Sequence, residues 1–291
     1  MKKKTKKILS TVLKIGVSIA LLWFVYTKIS VEQLVHVFGS SHIGYLLLAI
    51  GLYLVSQFVS AKRLLLYFHQ NGYLLGYRTN LVLYFVGMFY NFFIPGGIGG
   101  DAYKVFLLNR HYGWRKKTLA SAVLADRASG LLAICCWLLL GVLFVDIQGF
   151  TVWKWTVPFL LFGGIFFSKM VLQKLFPSYN PLFFKSLIYS LIVQGLQLLC
   201  VWAILKGLRL TDGYAIYLLM FLASSVLSLF SFSGIGVREY IFLKAAQWFD
   251  FNEEISVSVG LAFSVIVLIC SLPGIVPALA IKKFVKKIND A

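Results

Sequence analysis

Long apolar runs recur along the chain, each close to the twenty or so residues an α-helix needs to cross a hydrocarbon core. They predict full spans over 8–27, 43–61, 118–145, 155–171, 183–205 and 255–281. Two further segments, 80–108 and 214–249, differ. Each is an apolar run broken near its middle by glycines and then continued by a weaker amphipathic run. The first break reads FFIPGGIGGDAYK (92–104) and the second FSFSGIGVREY (230–240). The expected fold is an all-α integral membrane protein, one polytopic domain over 1–291. It would have six full spans plus two opposed re-entrant hairpins, eight membrane segments in all.

Composition agrees. The chain is 60% hydrophobic and 13% charged, with a mean hydropathy of +0.85. A soluble domain is nearer 45–50% apolar and about 25% charged. The net charge of +18 invites a nucleic-acid reading. The basic residues, however, cluster beside apolar spans, where positive-inside flanks and anionic headgroups account for them. No nucleic-acid partner is expected. The N-terminal stretch MKKKTKKILSTVLKIGVSIALLWFVY resembles a signal peptide. Its apolar part is long, and no small-x-small cleavage site follows, so it reads as an uncleaved first span.

Charge orients the broken segments. Lys62, Arg63 and Arg78 precede the first, and Lys104, Arg110, Arg115, Lys116 and Lys117 follow it. Basic flanks on both sides suit a hairpin that enters from the cytoplasm and returns. The second is flanked by KGLRLTD and DFNEE, which suits the outer side. On this topology 20 of the 28 Lys and Arg fall on inner segments and six on outer ones, while Lys14 and Arg127 lie inside spans. The asymmetry places both termini in the cytoplasm. An eight-span alternative, in which both broken segments cross fully, would put the basic 104–117 stretch outside and ranks second.

Two spans, a hairpin and a span are followed by the same set starting from the opposite side. That is the pattern of inverted repeats in transporters, here with halves of about 1–145 and 146–291. Shifted by 137 positions, Phe93, Gly97, Ile98, Gly99 and Tyr103 fall on Phe230, Gly234, Ile235, Gly236 and Tyr240.

Irregular backbone at membrane depth survives where protein or trapped water satisfies it, and free N–H groups at a helix start attract anions. Pro95, Gly96, Gly97, Gly99 and Gly100 in the first tip, and Gly234 and Gly236 in the second, are therefore candidate anion-binding backbone. Tight helix packing by small residues is the competing account. Asp101, Lys104, Asp126, Arg127, Arg238 and Glu239 lie beside the tips or inside a span. A charge there costs about 2.5–3.5 kcal/mol, so it pairs or lines a wet cavity. Ion pairs that lock the hairpins and a substrate role both fit, and the sequence does not say which carboxylate meets which cation. His36, His42, His69 and His111 lie near expected water interfaces and form no metal pattern. Cys135, Cys136, Cys200 and Cys270 read as buried small hydrophobes. The seven tryptophans and fifteen tyrosines suit interfacial anchoring. No metal, cofactor or catalytic residue is expected.

IPGGIGGDAYKVFLL (94–108), LADRASGLL (124–132) and SGIGVREY (233–240) together resemble the lysylphosphatidylglycerol synthase transmembrane, or flippase-like, family in order and spacing. The resemblance implies a membrane domain that translocates lipid. It carries motif roles onto Pro95, Gly96, Gly97, Gly100, Asp101, Lys104, Asp126, Arg127, Gly130, Gly234, Gly236, Arg238 and Glu239. Two features depart from the family. The chain ends soon after its last span, so a stand-alone member without the aminoacyl-transferase domain is expected. Phe232-Ser233 also stands where many members have proline.

The expected function is a lipid translocase in a bacterial plasma membrane, moving an anionic or aminoacylated phospholipid between leaflets. The glycine tips with Lys104, Arg127 and Arg238 would hold the headgroup. Asp101, Asp126 and Glu239 would orient those cations or meet a headgroup amine. The hairpins would meet near the midplane, and rocking of one repeat against the other would alternate access. The rivals are an intramembrane enzyme acting on a lipid-linked phosphate, a small-solute or ion transporter, and an assembly subunit. Oligomeric state is left open, a homodimer included.

Overall fold

The computed structural model describes residues 23, 32, 38–93, 99–145, 152–228 and 236–279. The first expected span, 8–27, therefore lies outside the described residues apart from Trp23. The described chain is helical, with no strand among the described residues. Five helical segments are long and apolar enough to cross a membrane: Ile43–Gln70, Lys116–Val142, Lys154–Leu175, Pro177–Gly207 and Glu253–Pro277.

In chain order the helices are α1 (Ile43–Gln70), α2 (Tyr77–Phe93), α3 (Gly99–Tyr112), α4 (Lys116–Val142) and α5 (Val157–Leu175). They continue with α6 (Phe183–Gly207), α7 (Tyr214–Leu227), α8 (Val237–Phe249), α9 (Glu253–Ser271) and the short α10 (Ile275–Leu279). The two broken segments of the sequence are α2 with α3 and α7 with α8. Their halves are 17, 14, 14 and 13 residues long. At 1.5 Å per residue a 14-residue helix is about 21 Å, short of a core of about 30 Å.

Local chemistry sets the ends. α1 stops at Asn71-Gly72, where Gly72 takes φ +74° and its N–H returns to the His69 carbonyl. α3 stops the same way at Gly113, whose N–H donates to the Asn109 carbonyl. Left-handed glycine after a last helical turn satisfies orphaned carbonyls without a Cβ penalty. α9 starts at Asn252, whose Oδ1 accepts the Ile255 N–H at 2.9 Å, with Glu253 and Glu254 in the first turn. Both features suit a helix N-terminus.

The chain forms two compact units, each assembled from separated stretches. One takes the described residues up to Tyr53 and those within Met88–Gly100 and Leu198–Leu272. Its core includes Leu243 and Val257, with Phe221 packed on Phe263 at 4.7 Å and Tyr53 edge-on to Phe263 at 5.5 Å. The other takes Leu54–Gly87, Asp101–Gln197 and the described residues from Pro273 onward. Leu64, Phe68, Leu83, Leu108, Leu119 and Ala122 centre its core.

One sequence expectation changes here. The span expected at 43–61 continues to Gln70, so Arg63 is no cytoplasmic flank. It sits inside α1 and is buried.

Candidate functional site

The second unit gathers five charges on three helices. Arg63 of α1 grips Asp126 of α4 with two parallel bonds: Nε donates to Oδ1 at 2.7 Å and Nη2 to Oδ2 at 3.0 Å. Its Nη1 donates to Ser190 Oγ at 2.8 Å, and the single Ser190 hydroxyl proton has the Ser186 carbonyl at 2.7 Å and Ser129 Oγ at 3.1 Å as its acceptors. Arg63, Asp126, Ser129 and Ser190 are all buried. Bidentate geometry is the strong form of this pair, and it closes both partners. The guanidinium lies against α4 at Gly130, where a Cβ would stand in ordinary contact, 3.4 Å from Nη1.

The other three charges form a triad. Asp101, in the first turn of α3, accepts from Lys104 Nζ through Oδ1 at 3.0 Å and from Arg127 Nε through Oδ2. Lys104 is buried, whereas the Arg127 side chain is about a third exposed at 32%. The Lys104 ammonium also lies 4.6 Å from the Tyr84 ring centroid. Lys104 reaches that place by crossing α2 at Gly87. A Cβ built on Gly87 would stand 2.2 Å from Lys104 Cε. A buried lysine is thus threaded through a gap that glycine leaves open. Two cations on one carboxylate leave the triad with a formal excess of one positive charge.

The first unit holds the remaining predicted charges. Gly236 takes φ +84° and precedes α8. Its N–H donates to Glu239 Oε2 at 2.7 Å, so the helix start is met by a carboxylate of its own first turn. Glu239 Oε1 accepts from Ser264 Oγ at 2.9 Å. Gly260 of α9 packs on this turn, with its Cβ position in ordinary contact, 3.4 Å from the Glu239 backbone. Arg238 is 6% exposed and lies over Phe263 at 4.6 Å and Phe221 at 5.8 Å. Nη1 donates to Ser264 Oγ at 3.3 Å, and Nε is buried without a hydrogen-bond partner. Among the described residues no carboxylate lies within ion-pair distance of Arg238. In the same unit the Gly100 N–H at the start of α3 donates to Asn91 Oδ1 at 2.8 Å.

The structure therefore brings Asp101, Lys104 and Arg127 together, sends Asp126 to Arg63, and groups Gly236, Arg238 and Glu239. Gly99 and Gly100 open α3. Pro95, Gly96, Gly97 and Gly234 lie outside the described residues, as does His36. Sequence reasoning missed Arg63 and Gly87. A buried acid at Asp126 asks for a cation, but nothing local points 63 residues back. His42 and His69 are exposed and His111 is half-buried. Cys136, Cys200 and Cys270 are buried as expected, but Cys135 is exposed. No cluster of three metal-ligating side chains occurs among the described residues.

Membrane-length apolar helices carrying buried, paired charges define an all-α, multi-pass membrane protein. The chain belongs to the lysylphosphatidylglycerol synthase TM region family: the family model matches residues 11–181, more than half of the chain. The match spans the α3 triad, α4 and the Arg63–Asp126 pair, and stops before α8. Membership ties the protein to membrane-lipid function. Among curated proteins none matches the sequence.

Proposed function

We propose that this protein is a lipid translocase of the flippase-like kind, moving an anionic or aminoacylated phospholipid between leaflets without altering it. The observation that carries the reading is Arg238. An arginine cannot shed its proton, and burying it without a counter-charge is costly. Aromatic faces offset part of that cost, since a desolvated cation over a ring gains about 2 kcal/mol. The idle Nε suits a visiting phosphate, since the neighbouring Glu239 carboxylate is reached only through Ser264 Oγ and not by a direct ion pair. The positive excess of the Asp101 triad suits the same chemistry.

In this reading each unit offers its own groups to a headgroup: Gly99, Gly100, Gly236, Arg238 and Glu239 in the first, and Asp101, Lys104 and Arg127 in the second, with Pro95, Gly96, Gly97 and Gly234 as the remaining residues of the glycine tips. Asp126 supports it through Arg63. Asp101 and Glu239 position cations and backbone, and either carboxylate would meet a headgroup amine. The short helices α2, α3, α7 and α8 support the arrangement of six spans with two re-entrant hairpins in inverted repeat. The asymmetry of Lys and Arg supports a bacterial plasma membrane with both termini cytoplasmic. The match to the family supports a phospholipid as partner.

The test is headgroup-labelled phosphatidylglycerol in proteoliposomes, followed by dithionite accessibility and by mass spectrometry of the lipid. Wild type is expected to move label without a change in lipid mass, and Arg238→Ala to slow movement at least tenfold while still eluting as folded protein. Full rates in both Arg238→Ala and Asp101→Ala would refute the site. A chemically altered lipid would refute the carrier reading in favour of an enzyme.

A further inference from the structure

A small cavity lies within the second unit where α5 ends and α6 begins, beside the 3₁₀ turn Pro177–Leu182. Tyr67 of α1, Ala125 of α4, Asn180 of the turn, and Phe183 and Ser186 of α6 line it. The volume open to the centre of a water molecule is about 20 Å³. One water needs about 10–15 Å³ on that measure, together with roughly two to four polar partners. The cavity therefore has room for one.

Its walls supply the partners. Asn180 Oδ1 is buried and has no hydrogen-bond partner among the described residues. A carbonyl oxygen only accepts, so it asks for a donor. Tyr67 is 3% exposed, and its hydroxyl lies beside those of Ser129 and Ser186. Ser186 gives its own proton to the Phe183 carbonyl at 2.9 Å, which leaves its oxygen free to accept. A water can give protons to Asn180 and Ser186 and take one from Tyr67. A metal cation would want carboxylate oxygens. Asp126, the carboxylate of this network, has both of its oxygens on Arg63.

The cavity also reaches the buried pair. Ser129 Oγ stands 3.1 Å from Ser190 Oγ, which accepts from Arg63 Nη1 at 2.8 Å. Hydroxyls thus run from the cavity wall to the guanidinium. Gln173, also in the lining, is exposed.

We propose that this cavity binds one ordered water and is the port through which solvent reaches the Arg63–Asp126 network. Charges inside a membrane pair with each other or line a wet cavity, and this pair does both. The proposal stands independently of the lipid-carrier reading.

The test is X-ray hydroxyl-radical footprinting of the full-length protein in lipid nanodiscs, read by mass spectrometry. Radicals form on bound water and oxidise the rings that touch it, so Phe183 reports the cavity. Phe68 is the control: it is buried, follows Tyr67 in the chain and does not line the cavity. Phe183 should be oxidised at least about fivefold faster than Phe68. Asn180→Leu and Tyr67→Phe each remove one partner of the water. Each should cut the Phe183 rate at least about threefold and leave Phe68 unchanged. Mixing into oxygen-18 water should place the heavy isotope in the Phe183 adduct within seconds. A Phe183 rate equal to that of Phe68, or one that neither substitution changes, would overturn the water site. Adducts that stay light for minutes would rule out the port. A rate that drops when sodium replaces potassium would put a cation where the proposal puts water.

Discussion

Gly87→Ala tests how Lys104 is held. The added methyl would stand 2.2 Å from Lys104 Cε and 3.0 Å from Nζ. Carbon atoms pack best at about 3.5–4.0 Å, so the lysine chain must withdraw by more than 1 Å. Its ammonium then leaves Asp101, now 3.0 Å away, and the Tyr84 ring, now 4.6 Å from it. A hydrogen bond to a charged group contributes about 1.5–3 kcal/mol. The ring contact adds roughly 0.5–1 kcal/mol. Against this, alanine gains about 1 kcal/mol over glycine in a helix interior. The loss wins, and the net destabilisation should be about 1–3 kcal/mol. Urea or SDS titration of the purified protein in detergent, followed by intrinsic fluorescence, measures it. The decisive comparison is Gly87→Ala in a Lys104→Ala background. There the clash is gone, and the same methyl should be neutral or stabilise by up to about 1 kcal/mol. An equal effect of Gly87→Ala in both backgrounds would refute the threading argument.

Other outcomes follow from the same contacts. Arg63→Ala or Asp126→Ala alone should cost about 3–5 kcal/mol by stranding a buried charge, whereas Arg63→Met with Asp126→Leu should recover most of it. Detergent unfolding midpoints decide this, and a double variant no better than the singles would be the contrary result. Gly236→Ala places a side chain at φ +84° and should cost about 1–2 kcal/mol, read the same way. Ser264→Ala removes a partner of both Arg238 and Glu239 and should slow lipid movement several-fold while leaving elution unchanged. Maleimide should label wild type at Cys135 ahead of the three buried cysteines, and Cys135→Ser should abolish the fast phase.

Much of the helical layout is legible in the chain because it depends on local length and hydropathy. A run of twenty apolar residues has one stable form in a bilayer, and GGIGG or GIG in such a run breaks it. The observed helices at 116–142, 157–175 and 183–207 follow the predicted runs to within four residues at either end, whereas 43–70 overruns the predicted 43–61 by nine and 253–271 ends ten residues before the predicted 281. The described helices end at Phe93 and Leu227 and resume at Gly99 and Val237, and most of the glycine-tip residues between them lie outside the described residues. The motif charges at Asp101, Lys104, Asp126, Arg127, Arg238 and Glu239 also stand out, because a charge in an apolar run is conspicuous in one dimension.

Pairing is not a one-dimensional property. Arg63 looked like the end of a basic flank, and its partner lies 63 residues away on another helix. Nothing in the sequence marks Gly87, whose missing side chain makes room for Lys104. Cys135 and Cys136 are adjacent and chemically alike, yet one is exposed and the other is buried. Arg238 and Lys104 carry the same charge close to a glycine tip, two residues after Gly236 and four after Gly100. One lies against a carboxylate and the other against two aromatic rings. The sequence determined where helices form and stop, since backbone hydrogen bonds and bilayer thickness are settled within a segment. Tertiary structure alone decided which charges are cancelled and which stay available, since a Coulomb partner is chosen by distance in space.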